Sequence, residues 1–276
     1  MLQWCREKRL TVNSTWRNNH YFCRRKTVSP LNKQPESMMI TPKKDPMGAA
    51  IAEFHRLGKA ARLRVFSPDF DEDEIPVATL FRSFEEMPLL EQQALQMARG
   101  RILDVGAGAG CHSLCLQEIG RTVTAIDISP LAVETMTARG VHDARQQDFW
   151  SVEERYDTIL MLMNGIGIVG SLNELPHFFH HLQQLLADGG QLLLDSSDIC
   201  YLFEDEEGII ELPGGTYYGE LEYQMQYKST KGDAFPWLYI DFETLADSAA
   251  THGFAAELIQ MGNHYDYLAR IVKQGK

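Results

Sequence analysis

Arg101-Ile102-Leu103-Asp104-Val105-Gly106-Ala107-Gly108-Ala109-Gly110 is the stretch that decides the fold. Its first half is an apolar run too short for a helix, so it reads as a buried strand. The run then breaks into Gly-x-Gly-x-Gly, and a helical pattern follows over 111–119. Strand, glycine turn and helix together make a cofactor-binding loop. Glycine admits positive φ and lets a ligand approach the main chain. The free N–H groups at the start of the next helix then face that ligand.

Spacing narrows the ligand. A dinucleotide loop reads G-x-G-x-x-G, with the third glycine under the pyrophosphate. Here the third glycine comes one residue early, at Gly110, and Cys111 holds the dinucleotide position. An acid, Asp104, stands two residues before Gly106. The run Asp104-x-Gly106-x-Gly108-x-Gly110 resembles the first motif of the class I S-adenosylmethionine-dependent methyltransferases.

The remainder alternates regularly. Residues 122–127 read as a second strand, and Ser129 with Pro130 opens a helix reaching about residue 139. A third short strand covers about 144–149. The fourth, 156–163, is continuously apolar, as a strand covered on both faces should be. A helix over 172–187 is closed by Asp188-Gly189-Gly190, and a fifth strand spans 191–195. Strands alternating with helices imply a parallel sheet with helices on both faces. Beyond it, Leu221, Tyr223, Met225 and Tyr227 alternate with polar residues, a strand with one wet face that pairs with 235–240. A helix over 242–251 and two last strands, about 255–261 and 265–272, complete the pattern. The expected fold is α/β, a doubly wound, mostly parallel, Rossmann-like seven-stranded sheet with an antiparallel C-terminal hairpin. The resemblance covers about residues 78–272 and implies the strand order 3-2-1-4-5-7-6.

Ahead of the sheet lie a helix over 48–61, an acidic solvated connection over 67–74, and a helix over 88–98. In the family, such segments lie over cofactor and substrate, and Arg82 between them is a weak candidate to meet a carboxylate. Residues 1–37 hold eight Lys or Arg against Glu7 and Glu36, without the apolar core of a signal peptide. A transit peptide, or an extension upstream of a start at Met38, Met39 or Met47, fits them. The reading favoured here is a disordered N-terminal extension over 1–45, with a methyltransferase domain and its helical cap over 46–276.

Ligands of open α/β sheets bind beyond the carboxyl ends of the strands. Asp127, followed by Ile128, ends the second strand. An ionised carboxylate there can accept both ribose hydroxyls, and the resemblance implies that role; dinucleotide enzymes use an acid at nearly the same place. At the third strand end the resemblance implies that Asp148 meets the adenine amino group and that Phe149 packs on its ring. At the fourth, Met163, Asn164 and Gly165 pass beside the methionine part. Gly106, Ala107, Gly108 and Gly110 form the loop, Asp104 acts through it on the cofactor's amino group, and His112 meets its carboxylate. No general base is assigned, because methyl transfer mainly needs alignment of donor and nucleophile. His264, Tyr265 and Tyr239 lie on the substrate side by analogy only. His177 and His181, four apart on one helix, lack the third ligand and the Glu of a zinc motif, so no metal is expected.

Composition sets outer limits. The chain has 276 residues, 44% hydrophobic, with a formal net charge of -12. An acidic chain lacks the basic footprint of a protein that tracks phosphate backbones. The expected acceptor is therefore a small molecule, with no nucleic acid or membrane partner. Five cysteines fit no zinc spacing, and without a secretory signal the reducing cytosol is the expected compartment. Three rivals remain: a dinucleotide-dependent oxidoreductase, an aminopropyl transferase resembling spermidine synthase, and a non-catalytic S-adenosylmethionine-binding protein.

Overall fold

The computed structural model describes residues 39–205 and 207–275. The basic segment 1–37, and the start sites Met38 and Met1, lie outside them. Strands β3 (Arg101–Val105), β4 (Thr122–Asp127), β5 (Ala144–Gln146), β6 (Tyr156–Met161) and β7 (Leu186–Ser197) are parallel, and β11 (Phe254–Met261) and β12 (Asp266–Lys273) add an antiparallel hairpin. The sheet order is β11-β12-β7-β6-β3-β4-β5. Numbered within this sheet, that is the expected 3-2-1-4-5-7-6.

Side-chain alternation explains how one sheet covers two cores. Leu103 and Ile159 face one side, where α5 (Leu175–Leu185) and α6 (Phe242–Thr251) bring Phe178, Phe179 and Leu245 against them. Ile102, Leu160 and Leu193 face the other, under Leu90 and Ala94 of α2 (Leu89–Met97) and Leu116 of α3 (Cys111–Glu118). Most residues of this buried ladder are apolar on both faces, which is why the strands read as apolar runs; Asp104 and Thr158 are buried exceptions.

Two boundaries differ from the sequence expectation. Helix α5 stops at Leu185, and Asp188-Gly189-Gly190 lies inside β7 instead of closing the helix. Leu186 is already paired with Tyr156, fully buried, and its carbonyl accepts the Lys273 ammonium; the register shifts between Tyr156 and Thr158 to absorb the glycines. The acidic connection also ends in a strand, β2 (Asp73–Ile75), paired with β1 (Leu63–Phe66). Its acids point outward to basic neighbours, Glu72 to Arg64 and Glu74 to Arg62.

Those two strands join a second sheet, of which the sequence reading anticipated only the pairing of 221–227 with 235–240. Its order is β10-β8-β1-β2, with β8 (Glu220–Tyr227), β10 (Phe235–Leu238) and a short β9 (Thr230–Lys231) beside β8, all antiparallel. The inner face, Leu63, Val65, Leu221, Tyr223, Met225 and Tyr227, packs with Ala50 of α1 (Pro46–Leu57).

Helix α1 is also fastened to α4 (Pro130–Arg139), and the fastening is polar. Asp45 caps α1 by accepting the Gly48 N–H at 2.7 Å, while its other oxygen accepts the Ser129 hydroxyl at 2.6 Å. Ser129 in turn caps α4 by accepting the Ala132 N–H. A Cβ at residue 48 would lie 2.2 Å from the Asp45 carboxylate, so glycine is required there by close approach. Asp45, which the sequence reading leaves in the extension, is buried within the domain. Ser129→Ala removes one cap and the link to the other, and should lower stability by about 1–3 kcal/mol in urea unfolding; an unchanged midpoint would contradict the linkage.

Candidate functional site

The glycine loop leaves β3 at the middle of the sheet and turns directly into α3. The Ala107 N–H donates to Ile126 of β4, tying loop to neighbouring strand. Gly108 has φ +58 and Gly110 φ +80, the left-handed region that side chains disfavour. At Gly110 the constraint is double, because a Cβ would lie 2.9 Å from Val141 Cγ2. At Gly108 no atom lies closer than 4.0 Å to that position, and one of the nearest is Cδ1 of Ile51 on α1. Gly108 thus opens onto a space that α1 overhangs.

Asp127 closes this turn from the end of β4. Its Oδ2 accepts the Gly108 N–H at 2.9 Å and its Oδ1 the Ser129 N–H at 2.8 Å. Burial pushes its pKa up to about 6; the two backbone N–H groups oppose the shift, while the charges of Asp45 and Asp104 add to it. Asp104 sits on β3 beneath the loop, buried, and its Oδ2 accepts the Ser113 hydroxyl at 2.6 Å. It pins the first turn of α3 to the strand. Arg139 reaches back from the end of α4, donating to the Ala109 carbonyl and stacking 4.6 Å over the Phe81 ring. Ile128 lends its carbonyl to the Gln146 amide.

His112, the second residue of α3, is buried and meets Glu91 of α2 through Nε2 at 2.7 Å. The Arg82 guanidinium bonds both Glu91 oxygens, at 2.8 and 2.9 Å, and lies 3.6 Å from Met163 Sδ. Arg82 therefore meets a carboxylate of its own chain. Burial opposes charge on His112, but the Glu91 hydrogen bond and the charges of Asp104 and Glu91 outweigh it, so its pKa is raised. Glu91 is correspondingly lowered: its burial is overcome by His112 and Arg82. The Arg82 guanidinium and the His112 imidazole thus share one carboxylate. Sequence reasoning missed Glu91, because an acid in the first turn of a helix ordinarily faces solvent and favours the helix dipole.

Asp148 follows β5 and is buried; its Oδ1 accepts the Trp150 N–H at 3.1 Å. Phe149 points into the core, its ring 5.9 Å from Phe178 and 5.0 Å from His181. His181 is occupied by the Phe149 carbonyl and His177 by stacking on Trp150, so both histidines serve packing.

After β6 the chain makes a strained turn. Met163 and Asn164 both adopt left-handed φ, +60 and +59, and Gly165 then opens a short 3-10 helix. Asn164 is held on every side. Its N–H donates to Asp195 Oδ1 at 2.8 Å, its Nδ2 to the Leu238 carbonyl at 3.2 Å, and its Oδ1 accepts the Ser196 hydroxyl at 2.9 Å. One side chain thus joins β7 of the main sheet to β10 of the second. Asn164 and Met163 line a cavity with Glu91, Asp195, Ser197 and Tyr239. Of the three substrate-side candidates, Tyr239 lines this cavity. Tyr265 is exposed and stacked on Tyr201, and His264 gives its N–H to Asp266.

The family described as methyltransferase domain matches residues 73–254. An S-adenosylmethionine-dependent methyltransferase from Bacteroides fragilis, solved with S-adenosyl-L-homocysteine, is 57% identical and superposes with a TM-score of 0.83 over 87% of this chain and 100% of that one. The CcbJ methyltransferase from Streptomyces caelestis, at 14% identity and a TM-score of 0.54 over 83% of this chain and 98% of its own, shares the fold. A ubiquinone biosynthesis O-methyltransferase from Xanthomonas oryzae pv. oryzae is 30% identical over 107 residues, 37% of this chain and 45% of that relative. The glycine loop, the sheet order and these likenesses agree: the chain belongs to the methyltransferase-domain family and is a class I enzyme that uses S-adenosylmethionine.

Proposed function

We propose that the cofactor lies across the carboxyl ends of β3, β4 and β6, and that the methyl group passes to a small molecule seated in the cavity beside Met163 and Asn164. The observation that carries this reading is the Asp127 carboxylate, fixed by the Gly108 and Ser129 N–H groups at the edge of the glycine turn. Each oxygen keeps a lone pair for a ribose hydroxyl. Asp148 and Ile128 stand at the adenine end. The positive φ of Gly108 and the open space at its Cβ position let the cofactor reach the main chain. Arg82 and His112, two cations on the single charge of Glu91, suit the methionine carboxylate. Asp104 supports the loop from beneath. S-adenosylmethionine supplies the activated methyl; the protein supplies alignment and exclusion of water. Gly106, Ala107 and Gly110 shape the loop, and Gly165 lets the main chain pass close to the cofactor.

Three features favour a small acceptor in the cytoplasm. The acidic chain suits neither nucleic acid nor an anionic membrane. Among the described residues, no helix is long and apolar enough to cross a membrane. Cys111, Cys115 and Cys200 are free thiols.

Calorimetric titration of the full chain with S-adenosylhomocysteine tests the site. Asp127→Ala should weaken binding by about 10- to 100-fold, the worth of charge-assisted hydrogen bonds. Wild-type affinity should fall as the pH drops through about 6, where Asp127 takes up a proton. Equal affinity for variant and wild type removes Asp127 from the ribose. Gly108→Val should abolish binding, since a branched side chain would fill the ligand's space and strain the backbone; normal binding would put the cofactor elsewhere. Glu91→Gln removes the larger support for the His112 charge and leaves its burial. The imidazole pKa, followed by NMR, should fall; an unchanged value would separate His112 from Glu91.

A further inference from the structure

Asp195 enters none of the roles described so far, yet its place is specific. In the parallel register Asp104 is level with Leu160, and Met161 with Leu194. Continued by one residue, this puts Asp195 level with Leu162 and Gly106. Only β6 separates it from the glycine loop, so two strand spacings, about 10 Å, lie between. That gap is where the methionine portion of the cofactor runs in the reading above, on which this inference rests.

The cavity carries three carboxylates, from Glu91, Asp195 and Asp266. Both Glu91 oxygens are held by Arg82, and one also by His112. Asp266 takes the His264 N–H in its turn. Asp195 accepts the Asn164 N–H through Oδ1. Among the described residues its Oδ2 takes no hydrogen bond, and the residue lines the cavity. Around it stand Glu91 and, behind that, Arg82 and His112 from the α2 side, Asp266 of β12, Tyr239, and the neutral Asn164 and Ser196.

We propose that Asp195 is a catalytic residue whose carboxylate answers the charge on the cofactor sulfur, ionised beside the sulfonium and protonated once the sulfur is a neutral thioether. The atoms balance. The acceptor's O–H or N–H nucleophile forms a bond to the methyl carbon. The methyl–sulfur bond breaks and its electron pair stays on sulfur. The acceptor's proton passes to Asp195 Oδ2, so the summed charge of sulfur and carboxylate is the same before and after. Burial, with the negative charge of Glu91 second, raises the Asp195 pKa to about 7, so both protonation states are accessible near neutrality.

The test needs no acceptor. S-adenosylmethionine and S-adenosylhomocysteine share every amino and carboxyl group, so the ratio of their affinities isolates the charge on sulfur. Calorimetry of the full chain from pH 6 to 8.5 should show this ratio shifting toward S-adenosylmethionine by about tenfold as the pH rises through about 7, the effect of a one-unit pKa change. In Asp195→Asn, whose amide oxygen can still accept the Asn164 N–H, the ratio should be flat with pH while S-adenosylhomocysteine affinity stays within about twofold. A pH-independent wild-type ratio overturns the proposal, even where both affinities rise in parallel, as the titration of Asp127 alone would make them do. Should the variant misfold, the wild-type ratio alone decides. If neither ligand binds, the cofactor reading fails and this inference with it.

Discussion

The structure depends on a half-buried carboxylate at the end of β4. Asp127 takes the Gly108 N–H with one oxygen and the Ser129 N–H with the other. It therefore sets both the curvature of the glycine turn and the start of α4. Ser129 passes the constraint onward through Asp45 to α1, and α1 covers the turn with Ile51. Three segments distant in sequence thus converge on one carboxylate. Such a charge is costly unless its oxygens are satisfied, and its raised pKa records that cost.

A second junction lies across the sheet at Asn164. Its three hydrogen bonds run to Asp195, Ser196 and Leu238, joining the parallel sheet to the antiparallel one. Trp237 of β10 packs over Gly167 just beyond, where a Cβ would meet its ring at 2.1 Å. Tyr239, which follows β10, lines the cavity beside Asn164. In the proposed reading the acceptor meets Tyr239, whereas the cofactor meets the strand ends of the main sheet. Separation of this kind is how one scaffold supports many chemistries.

The main sheet was legible because its signals are local. Apolar runs, a glycine turn and Ser129-Pro130 at a helix start each act within a few residues. Asp127 could be singled out because a strand end before a helix start is visible in sequence. Of the second sheet only the strand over 220–227 and its pairing with 235–240 were legible: β1 has four residues and β2 three, and β1 meets β8 some 160 positions away. Glu91 and Asp195 stayed hidden for the same reason. Each looks like an ordinary acid at the end of an element, and only packing brings Arg82, His112 and the cavity to them. Phe149 shows the reverse. Its position suggested an adenine contact, and the sequence did not show that Phe178 and His181 also hold its ring.

The central claim is that the ribose of S-adenosylmethionine sits on Asp127. A crystal structure of the chain with S-adenosylhomocysteine measures it directly. The account predicts both ribose hydroxyls within about 2.5–3.0 Å of the Asp127 oxygens, with the Gly108 N–H still bonded to the carboxylate. A ribose lying more than about 4 Å from Asp127 would contradict it.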